Sequence, residues 1–432
     1  MLEKKQNNFK IDIKGINLKA IGQVLSSQLL LQFFSFGIGI ILVRELPKVE
    51  YAIYSILMSI LAILSILSTS GIMIGFTKIG GDIWDDIPKL SSLIKTASSI
   101  RGYITFGAFI IAGTYGYILL TEQNVTLSHT IFFLVCILLM VIPEIYKAFI
   151  TEALLLRKEI APVQLVKIIT QAFRLISIGI IFLFFNEYLS IKIILVVTVI
   201  SVWIGYLYIR KRSEFLINSK AKIVQKYKKT LLHYIKLIWH NELFFAFQGQ
   251  ISIFLVGAFS TSNNLADLGA LGRFSVIFTV LSSLVGNIYG PRFAITKNKK
   301  LLKKQFYQLM ISLSIISFLI IIVAILFPNL FLWILGTKYT GLELELSLVI
   351  LLGTFNLFVT SISILNQTKG WVKFRTYWEI PINILVLVSG VIILDITNLK
   401  NVLILSILVS ISNIILCIAN SIHGFNSYTN ID

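Results

Sequence analysis

The sequence is built from apolar stretches that are each long enough to cross a lipid bilayer. Because an α-helix rises ~1.5 Å per residue, about 20 apolar residues span a hydrocarbon core of ~30 Å. The 432-residue chain is 56% hydrophobic and 13% charged, which excludes a soluble globular fold. We predict an all-α integral membrane protein with about twelve transmembrane helices, at residues 21–43, 52–76, 103–120, 130–150, 165–185, 191–209, 243–262, 268–290, 307–327, 343–365, 378–396 and 401–422.

Lysine and arginine alternate between abundant and scarce in the successive loops. The abundant side takes residues 1–19, 78–101, 147–167, 210–240, 292–304 and 369–375. The positive-inside rule places this side in the cytoplasm, so both termini are predicted to be cytoplasmic and the number of spans to be even. Residues 1–19 are polar and contain no cleavable signal sequence, so we expect them to form a short cytoplasmic segment.

The basic loops also account for the formal net charge of +18. They lie beside anionic lipid head groups, so no nucleic-acid partner is expected. The four histidines lack metal-ligand spacing, and there is no Walker A loop. Cys136 and Cys417 fall inside apolar spans, where a thiol packs as a small apolar group. We predict no enzymatic activity, no catalytic residue, no metal site and no cofactor, and we leave open coupling to an H⁺ or Na⁺ gradient.

The longest polar stretch, residues 210–240, divides the chain into two halves of six spans. We predict an N-terminal six-helix lobe at 1–209, a basic cytoplasmic linker at 210–240 and a C-terminal six-helix lobe at 241–432. Within the linker, apolar residues at helical spacing alternate with lysines over 226–240, which suggests an amphipathic helix on the membrane surface. A shift of 217 residues places the glycine-containing end of span two on that of span eight, which suggests an internal repeat.

Three short segments carry a family resemblance: PKVEYAIYSI at 47–56, LGALGRFSVI at 268–277, and PINILVLVSGVII at 381–393, which contains Asn383. Together with the chain length and the number of spans, they resemble the Wzx-type lipid-linked oligosaccharide flippases. These form the polysaccharide transporter branch of the multidrug/oligosaccharidyl-lipid/polysaccharide (MOP) superfamily. The aromatic-glycine turn of that family is only partly present, because Ala52 stands where a glycine is usual.

This resemblance implies a MATE-like fold, with two six-helix lobes around a central cavity that opens alternately to each side of the membrane. It implies a flippase that moves polyprenyl-pyrophosphate-linked oligosaccharide repeat units to the outer leaflet of the bacterial cytoplasmic (inner) membrane. The translocated repeat unit would be used in the synthesis of O-antigen (lipopolysaccharide), capsule or exopolysaccharide. We expect a monomer, whose partners are the lipid-linked oligosaccharide, membrane lipids and other polysaccharide-assembly proteins.

Arg174 lies near the middle of span five, where a charge is costly. A charged side chain at the bilayer centre costs about 2.5–3.5 kcal/mol even on insertion scales, so it normally faces protein or water. Lys167, Gln171 and Arg174 share one helix face because three or four residues separate them. In one interpretation this face lines the cavity and Arg174 binds the pyrophosphate through two parallel hydrogen bonds. In the other, Arg174 forms a structural ion pair with Glu144 or Glu152.

Spans one and seven carry amides that suit sugar hydroxyl groups. Gln28 and Gln32 share one face of span one, and Gln248 lies in span seven. Hydrogen bonding between helices explains the same residues equally well. Arg273, near the outer end of span eight, either draws the anionic head group outward or simply reaches water at the interface.

Glu242 and Glu144 are the carboxylates that we consider for cation coupling, although an interfacial acid is the simpler interpretation of Glu242. Two other classes of protein compete with the flippase. A multidrug/cation antiporter of the same superfamily shares the fold, but its cavity should favour buried carboxylates over a deep arginine. A polysaccharide polymerase has similar hydropathy, but it should carry a large external loop, and every outer loop here is short.

Overall fold

The computed structural model describes residues 18–69, 71–217 and 221–428, and these residues fold into helices joined by short connections. Most of the predicted N-terminal segment (1–17) and part of the predicted linker (218–220) lie outside this range. The α-helices are α1 (Leu18–Glu45), α2 (Lys48–Thr69), α3 (Ile72–Ile83), α4 (Ile87–Glu122), α5 (Leu127–Leu156), α6 (Ile160–Phe184), α7 (Ile191–Arg212), α8 (Gln225–Gln248), α9 (Ile251–Phe259), α10 (Ser262–Leu271), α11 (Ser275–Leu284), α12 (Gly290–Ile295), α13 (Lys299–Leu326), α14 (Pro328–Leu335), α15 (Glu343–Thr368), α16 (Lys373–Ile393) and α17 (Leu399–Ser427).

Within the described ranges, eleven helical stretches are long and apolar enough to cross a membrane, and the bent pair α8–α9, counted as one span, raises the number to twelve. This agrees with the twelve predicted spans. Large apolar side chains such as Phe318 and Ile393, which are 63% and 78% exposed, cover the outside of the bundle. Such a surface is suited to lipid tails, which are as apolar as leucine. The chain is therefore a multi-pass membrane protein.

Span two ends earlier than predicted. We expected one stretch over 52–76, but α2 ends at Thr69 and α3 begins at Ile72. Gly71, between them, has a φ of 67°, a left-handed conformation that costs a residue with a side chain about 1–2 kcal/mol. A Cβ at Gly71 would lie 2.7 Å from the Cα of Ile235 in α8. The span breaks where α8 crosses it.

Span seven is bent. α8 contains both the segment predicted to be amphipathic and the first half of the span, so these form one helix. The helix axis turns by 54° at Gly249 and Gln250 before α9 begins. α8 packs against α2, α3 and α4, where Leu231 is fully buried, whereas α9 also contacts α10 and α17. The chain therefore passes from one half of the molecule to the other through this bent pair.

Span eight is also interrupted, and it runs over Ser262–Ile295 rather than over 268–290. A 3₁₀ turn at Gly272–Phe274 separates α10 from α11, and a π-helical turn at Val285–Tyr289 separates α11 from α12. A shift of 217 residues places the break at Gly71 on this π-helical turn. The same shift carries α5 onto residues 344–373, which α15 occupies almost entirely. The helix boundaries therefore fit the internal repeat.

The helices form two lobes around a central seam. In the N-terminal lobe, α2 packs against α4, α5 against α7, and α6 against both α1 and α7. In the C-terminal lobe, α15 packs against α11, α13 and α17, and α16 packs against α17. This arrangement confirms the predicted fold class, an all-α membrane protein with two six-helix lobes.

The bundle has two ends, which we call the basic face and the opposite face. The basic face carries the connections at 84–86, 157–159, 213–217, 221–224, 296–298 and 369–372, and the opposite face carries those at 46–47, 123–126, 185–190, 260–261, 327–342 and 394–398.

Candidate functional site

Two arginines, one from each lobe, meet at a pair of tyrosines in the seam. Tyr51 and Tyr54 lie one turn apart on α2, and their ring centroids are 5.9 Å apart. Arg273, between α10 and α11, donates its Nε–H to the Tyr51 hydroxyl at 2.8 Å, and its guanidinium carbon lies 5.7 Å from the centre of each ring. Arg174 of α6 donates an Nη2–H to the Tyr54 hydroxyl at 2.9 Å. We call these four residues the tyrosine–arginine cluster.

One glycine makes room for Arg273, and another brings α10 close to α2. A Cβ at Gly39 of α1 would lie 2.8 Å from the Cδ of Arg273, closer than real Cβ contacts come. A Cβ at Gly269 of α10 would lie 2.2 Å from the Oγ of Ser55, so α10 packs directly against α2. The Tyr51 hydroxyl also donates to the backbone carbonyl of Gly269 at 3.2 Å. Arg273 thus lies half-buried between the lobes rather than at the outer surface.

The cluster carries positive charge without a matching carboxylate. Among residues 18–69, 71–217 and 221–428, neither Arg174 nor Arg273 forms an ion pair. The Nε of Arg174 is buried and has no hydrogen-bond partner in that part of the chain. The two carboxylates considered as its structural partners are engaged elsewhere: Glu144 pairs with a lysine one turn along α5, and Glu152 accepts a hydrogen bond from Thr77. An anion here would gain charge-assisted hydrogen bonds.

A cavity of about 410 Å³ adjoins the cluster and is lined by Tyr54 and Arg273. A second cavity, of about 330 Å³, extends from it into the C-terminal lobe, and the two have Ser252 and Asn356 in common. The polar side chains that line the second cavity are Gln248, Ser252, Asn356, Arg375, Glu379, Ser406, Ser410 and Asn413. Most of these are uncharged hydroxyls and amides, which both donate and accept hydrogen bonds. We refer to the two together as the central cavity.

The charges of the second cavity neutralise each other. Arg375 donates its Nε–H to Glu379 at 2.6 Å and an Nη1–H to the Ser363 hydroxyl at 2.6 Å. Glu379 is only 5% exposed, and the pair lies one turn apart on α16. Asn383, the next residue on this face, is fully buried and donates to Asn413 of α17 at 3.1 Å. The unbalanced charge that lines the central cavity therefore comes from Arg273 of the tyrosine–arginine cluster.

The residues predicted beside Arg174 lie nearer the basic face. Lys167 is exposed on α6, and Gln171 is half-buried between it and Arg174. Gln28 and Gln32 are half-buried on α1, which packs along α6. Neither these four residues nor Arg174 line either part of the central cavity. Their assignment to substrate binding stays a prediction.

The remaining predicted residues fall on α5 and α8. Gln248 lines the second part of the central cavity, at the bend that precedes α9. Glu242 is half-buried on α8, two turns earlier. Glu144, in its ion pair with Lys147, also accepts a hydrogen bond through its backbone carbonyl from Arg101 at 2.6 Å. Neither carboxylate lines the central cavity, so their role in cation coupling also stays a prediction.

Sequence reasoning missed several of the central residues. Tyr54 stands three residues after Tyr51, and Glu379 stands four after Arg375, so both spacings pointed to shared helix faces. Arg101 was counted with the basic loops, but α4 begins well before it and the side chain is only 3% exposed.

Contacts between the lobes close the opposite face. Lys48 of α2 pairs with Asp267 of α10 at 2.7 Å, and its ammonium lies 5.0 Å from the ring centre of Tyr339. Burial raises the pKa of Tyr339, so this phenol stays neutral. Arg44 and Lys338 each donate to a backbone carbonyl across the seam, at 2.9 and 2.7 Å. The central cavity is therefore sealed towards the opposite face.

Within the described part of the chain, no group of three or more His, Cys, Asp or Glu residues is placed to hold a metal ion. Cys136 and Cys417 are buried free thiols, as their positions in apolar spans predicted.

Solved structures of MATE transporters share this fold. The eukaryotic MATE transporter AtDTX14 superimposes with a TM-score of 0.61 at 14% identity, covering 94% of this chain and 93% of that one. An inward-facing multidrug resistance MATE family transporter of the MOP superfamily gives 0.60 at 13% identity, over 93% and 96% of the two chains. A mutant of the Vibrio cholerae MATE transporter VcmN gives 0.58 at 16% identity, over 94% and 96%.

No family model and no curated protein sequence matches the chain. The structural likeness extends over nearly the whole length, and it establishes a MATE-like fold of the kind found in the MOP superfamily. The solved proteins that share it are described as transporters. Identities of 13 to 16% establish the fold alone.

Proposed function

We propose that this protein is a flippase for polyprenyl-pyrophosphate-linked oligosaccharides, which acts by alternating access in surface polysaccharide synthesis. The observation that carries the proposal is the tyrosine–arginine cluster. Arg174 and Arg273 bring two guanidinium groups from different lobes to the phenols of one helix, with no carboxylate paired to either among the described residues.

A diphosphate matches this site chemically. Guanidinium groups donate pairs of hydrogen bonds to phosphate oxygens, and such charge-assisted bonds are roughly twice as strong as neutral ones. The buried Nε–H of Arg174 has no hydrogen-bond partner among the described residues, so this guanidinium keeps an unused donor next to the cavity wall formed by Tyr54. Because the two arginines belong to different lobes, a bound diphosphate would also link the lobes and respond to their relative movement.

The second part of the central cavity supports the sugar portion of the proposal. Ser252, Asn356 and Ser410 form hydrogen bonds within its wall, and their groups can exchange these for bonds to hydroxyls. Its one ion pair, Arg375–Glu379, adds a donor and an acceptor without adding net charge. The site thus combines a cationic end in the seam with a neutral polar end in the C-terminal lobe.

We assign the basic face to the cytoplasm, in accordance with the positive-inside rule. With the opposite face sealed by the Lys48–Asp267 pair and its neighbours, the structure corresponds to a state that loads from the cytoplasmic leaflet. Transport would then require these contacts to break while the lobes close at the basic face. In this proposal the protein lies in the bacterial cytoplasmic membrane and works as a monomer.

The deciding experiment uses purified protein in liposomes with a short-chain polyprenyl-pyrophosphate oligosaccharide, whose appearance in the other leaflet is followed over time. Wild type is expected to move it, and Arg174→Ala is expected to insert normally and lose transport. Arg212→Ala, which removes an exposed arginine at the end of α7, is the matched control and should transport like wild type.

A multidrug/cation antiporter is the second candidate, because two carboxylates in the C-terminal lobe, Asp267 and Glu379, are buried. Both are paired with a basic side chain, which weakens their attraction for a cationic substrate. Export of a lipophilic cationic dye by the same liposomes, without movement of the oligosaccharide, would favour the antiporter. A poorly folded Arg174→Ala protein would instead assign Arg174 to structure.

A further inference from the structure

A groove of about 560 Å³ lies in the C-terminal lobe at the basic face, with no lining residue in common with the central cavity. Both α12 and α13 pack against α15. Between them, the buried side chains of Phe293, Leu309 and Leu365 form an apolar floor. The π-helical turn at Val285–Tyr289 leads directly into α12, and Tyr289 is part of the groove wall.

The rim of this groove is polar. Gln305, Gln308 and Ser312 share one face of α13 because they stand three and four residues apart. Arg292 of α12 lies across from them, is exposed, and forms no ion pair among the described residues. Gln305 already accepts a hydrogen bond from the Thr296 hydroxyl at 3.1 Å, which holds its amide in place. The groove therefore offers one cation and several neutral hydrogen-bonding groups.

The position of the groove along α13 corresponds to the boundary between head groups and acyl chains. Lys304 is the last lysine of this helix, and Gln308 and Ser312 lie ~6 and ~12 Å further along the axis at ~1.5 Å per residue. Ile311 lines the same groove and belongs to a row of exposed apolar residues that continues with Ile315. A polar face beside an apolar one, at this depth, suits an amphiphile rather than a water-soluble ligand.

We infer that this groove binds the head group of one anionic membrane phospholipid. Arg292 holds the phosphate, the side-chain amide of Gln308 donates to a glycerol ester carbonyl, and an acyl chain lies along Ile311. The inference does not depend on the transported substrate, because the groove and the central cavity are separate.

The test is native mass spectrometry of the delipidated protein in detergent, titrated with phosphatidylglycerol or phosphatidylcholine. Wild type should retain one phosphatidylglycerol more tightly than phosphatidylcholine. Arg292→Gln should weaken phosphatidylglycerol binding by about tenfold or more, since it removes a charge-assisted hydrogen bond. Arg212→Gln removes the same charge at the basic end of the N-terminal lobe and should leave that affinity unchanged.

Ser312→Trp provides a second variant, because it fills the groove without altering charge, and it should weaken binding of both lipids. Wild-type affinity for phosphatidylglycerol in both Arg292→Gln and Ser312→Trp would overturn the inference. So would an equal loss in Arg212→Gln, which would indicate a general effect of basic charge. Displacement of phosphatidylglycerol by millimolar inorganic phosphate would make the groove a site for soluble phosphate instead.

Discussion

Lys48 and Asp267 form an ion pair across the seam between the lobes, at 2.7 Å, one turn from the tyrosine–arginine cluster. The side chain of Asp267 is 8% exposed and that of Lys48 is 26% exposed, so the pair is largely removed from water. Breaking a buried pair by removing one partner leaves an uncompensated charge, which is strongly unfavourable. The pair therefore holds the opposite face closed for as long as both partners remain charged and in contact.

We predict that Lys48→Glu opens the opposite face, because it sets two carboxylates against each other. A cysteine introduced at Ser275, which is exposed and lines the central cavity, reports the opening. A membrane-impermeant maleimide should label it from the basic face in the parent protein and from the opposite face only when Lys48→Glu is present.

Lys400→Glu reverses an exposed charge on the opposite face away from the seam and serves as the control. Adding Asp267→Lys to Lys48→Glu restores an attractive pair and should restore the parent labelling. Labelling of the Lys48→Glu protein that matches the Lys400→Glu protein would mean that the ion pair does not hold the lobes together.

Gly39→Ala should abolish transport while the protein still accumulates. Its Cβ would lie 2.8 Å from the Cδ of Arg273, so the arginine must leave its position against Tyr51. Gly37→Ala, two residues earlier on α1, is the matched control, because its Cβ would meet Leu175 at an ordinary 3.6 Å. Initial rates of oligosaccharide translocation in liposomes distinguish them, and equal rates in the two variants would contradict the placement of Arg273.

Arg174→Lys should retain part of the transport that Arg174→Ala loses. Lysine keeps the positive charge but replaces the planar fork by a single ammonium group. The loss of one charge-assisted hydrogen bond predicts a rate about tenfold below wild type. If Arg174→Lys and Arg174→Ala were equally inactive while both folded, the fork geometry rather than the charge would be essential.

Gly71→Ala should destabilise the protein by more than about 1 kcal/mol, since alanine disfavours the left-handed backbone. The new Cβ would also lie 2.7 Å from the backbone of α8. Gly81→Ala, on the adjacent helix, meets nothing within 4 Å and should be neutral or slightly stabilising. Thermal melting in detergent measures both, and similar melting temperatures would show that α8 does not require this glycine.

Glu379→Ala should lower stability by about 1–3 kcal/mol, because it leaves the guanidinium of Arg375 without its acceptor. Arg375→Leu combined with Glu379→Ala should recover part of that loss, since no buried charge remains. A double-mutant cycle of melting temperatures measures the coupling. If the effects of the two changes were additive, the interaction between Arg375 and Glu379 would contribute nothing to stability.

The fold was largely predictable, whereas the details of the spans were not. Twelve apolar stretches predicted the number of spans, because lipid requires long apolar helices, and the polar stretch at 210–240 predicted the two lobes. The break at Gly71 and the bend at Gly249 escaped prediction, since both depend on where α8 passes between other helices. A local sequence pattern carries no information about such crossings.

The site was only partly predictable for the same reason. The position of Arg174 in an apolar span singled it out, because a charge there needs a partner or water. Its partner Tyr54 lies 120 residues away, and that of Arg273 lies 222 residues away, so neither contact could be derived from spacing. Arg375 and Glu379 share a helix, yet they occupy the margin of a predicted span, where charges look interfacial.

The course of α8 has a consequence for how the two halves of the protein assemble. This helix belongs by sequence to the C-terminal half, yet its first turns dock on α3, where Leu231 and Tyr234 meet Gly75. A chain cut between α7 and α8 would leave this docking helix on the C-terminal fragment and its receiving surface on the other. Two separately translated halves would thus contain a helix and a surface that recognise each other, and complementation by split genes should succeed when the chain is cut at this junction.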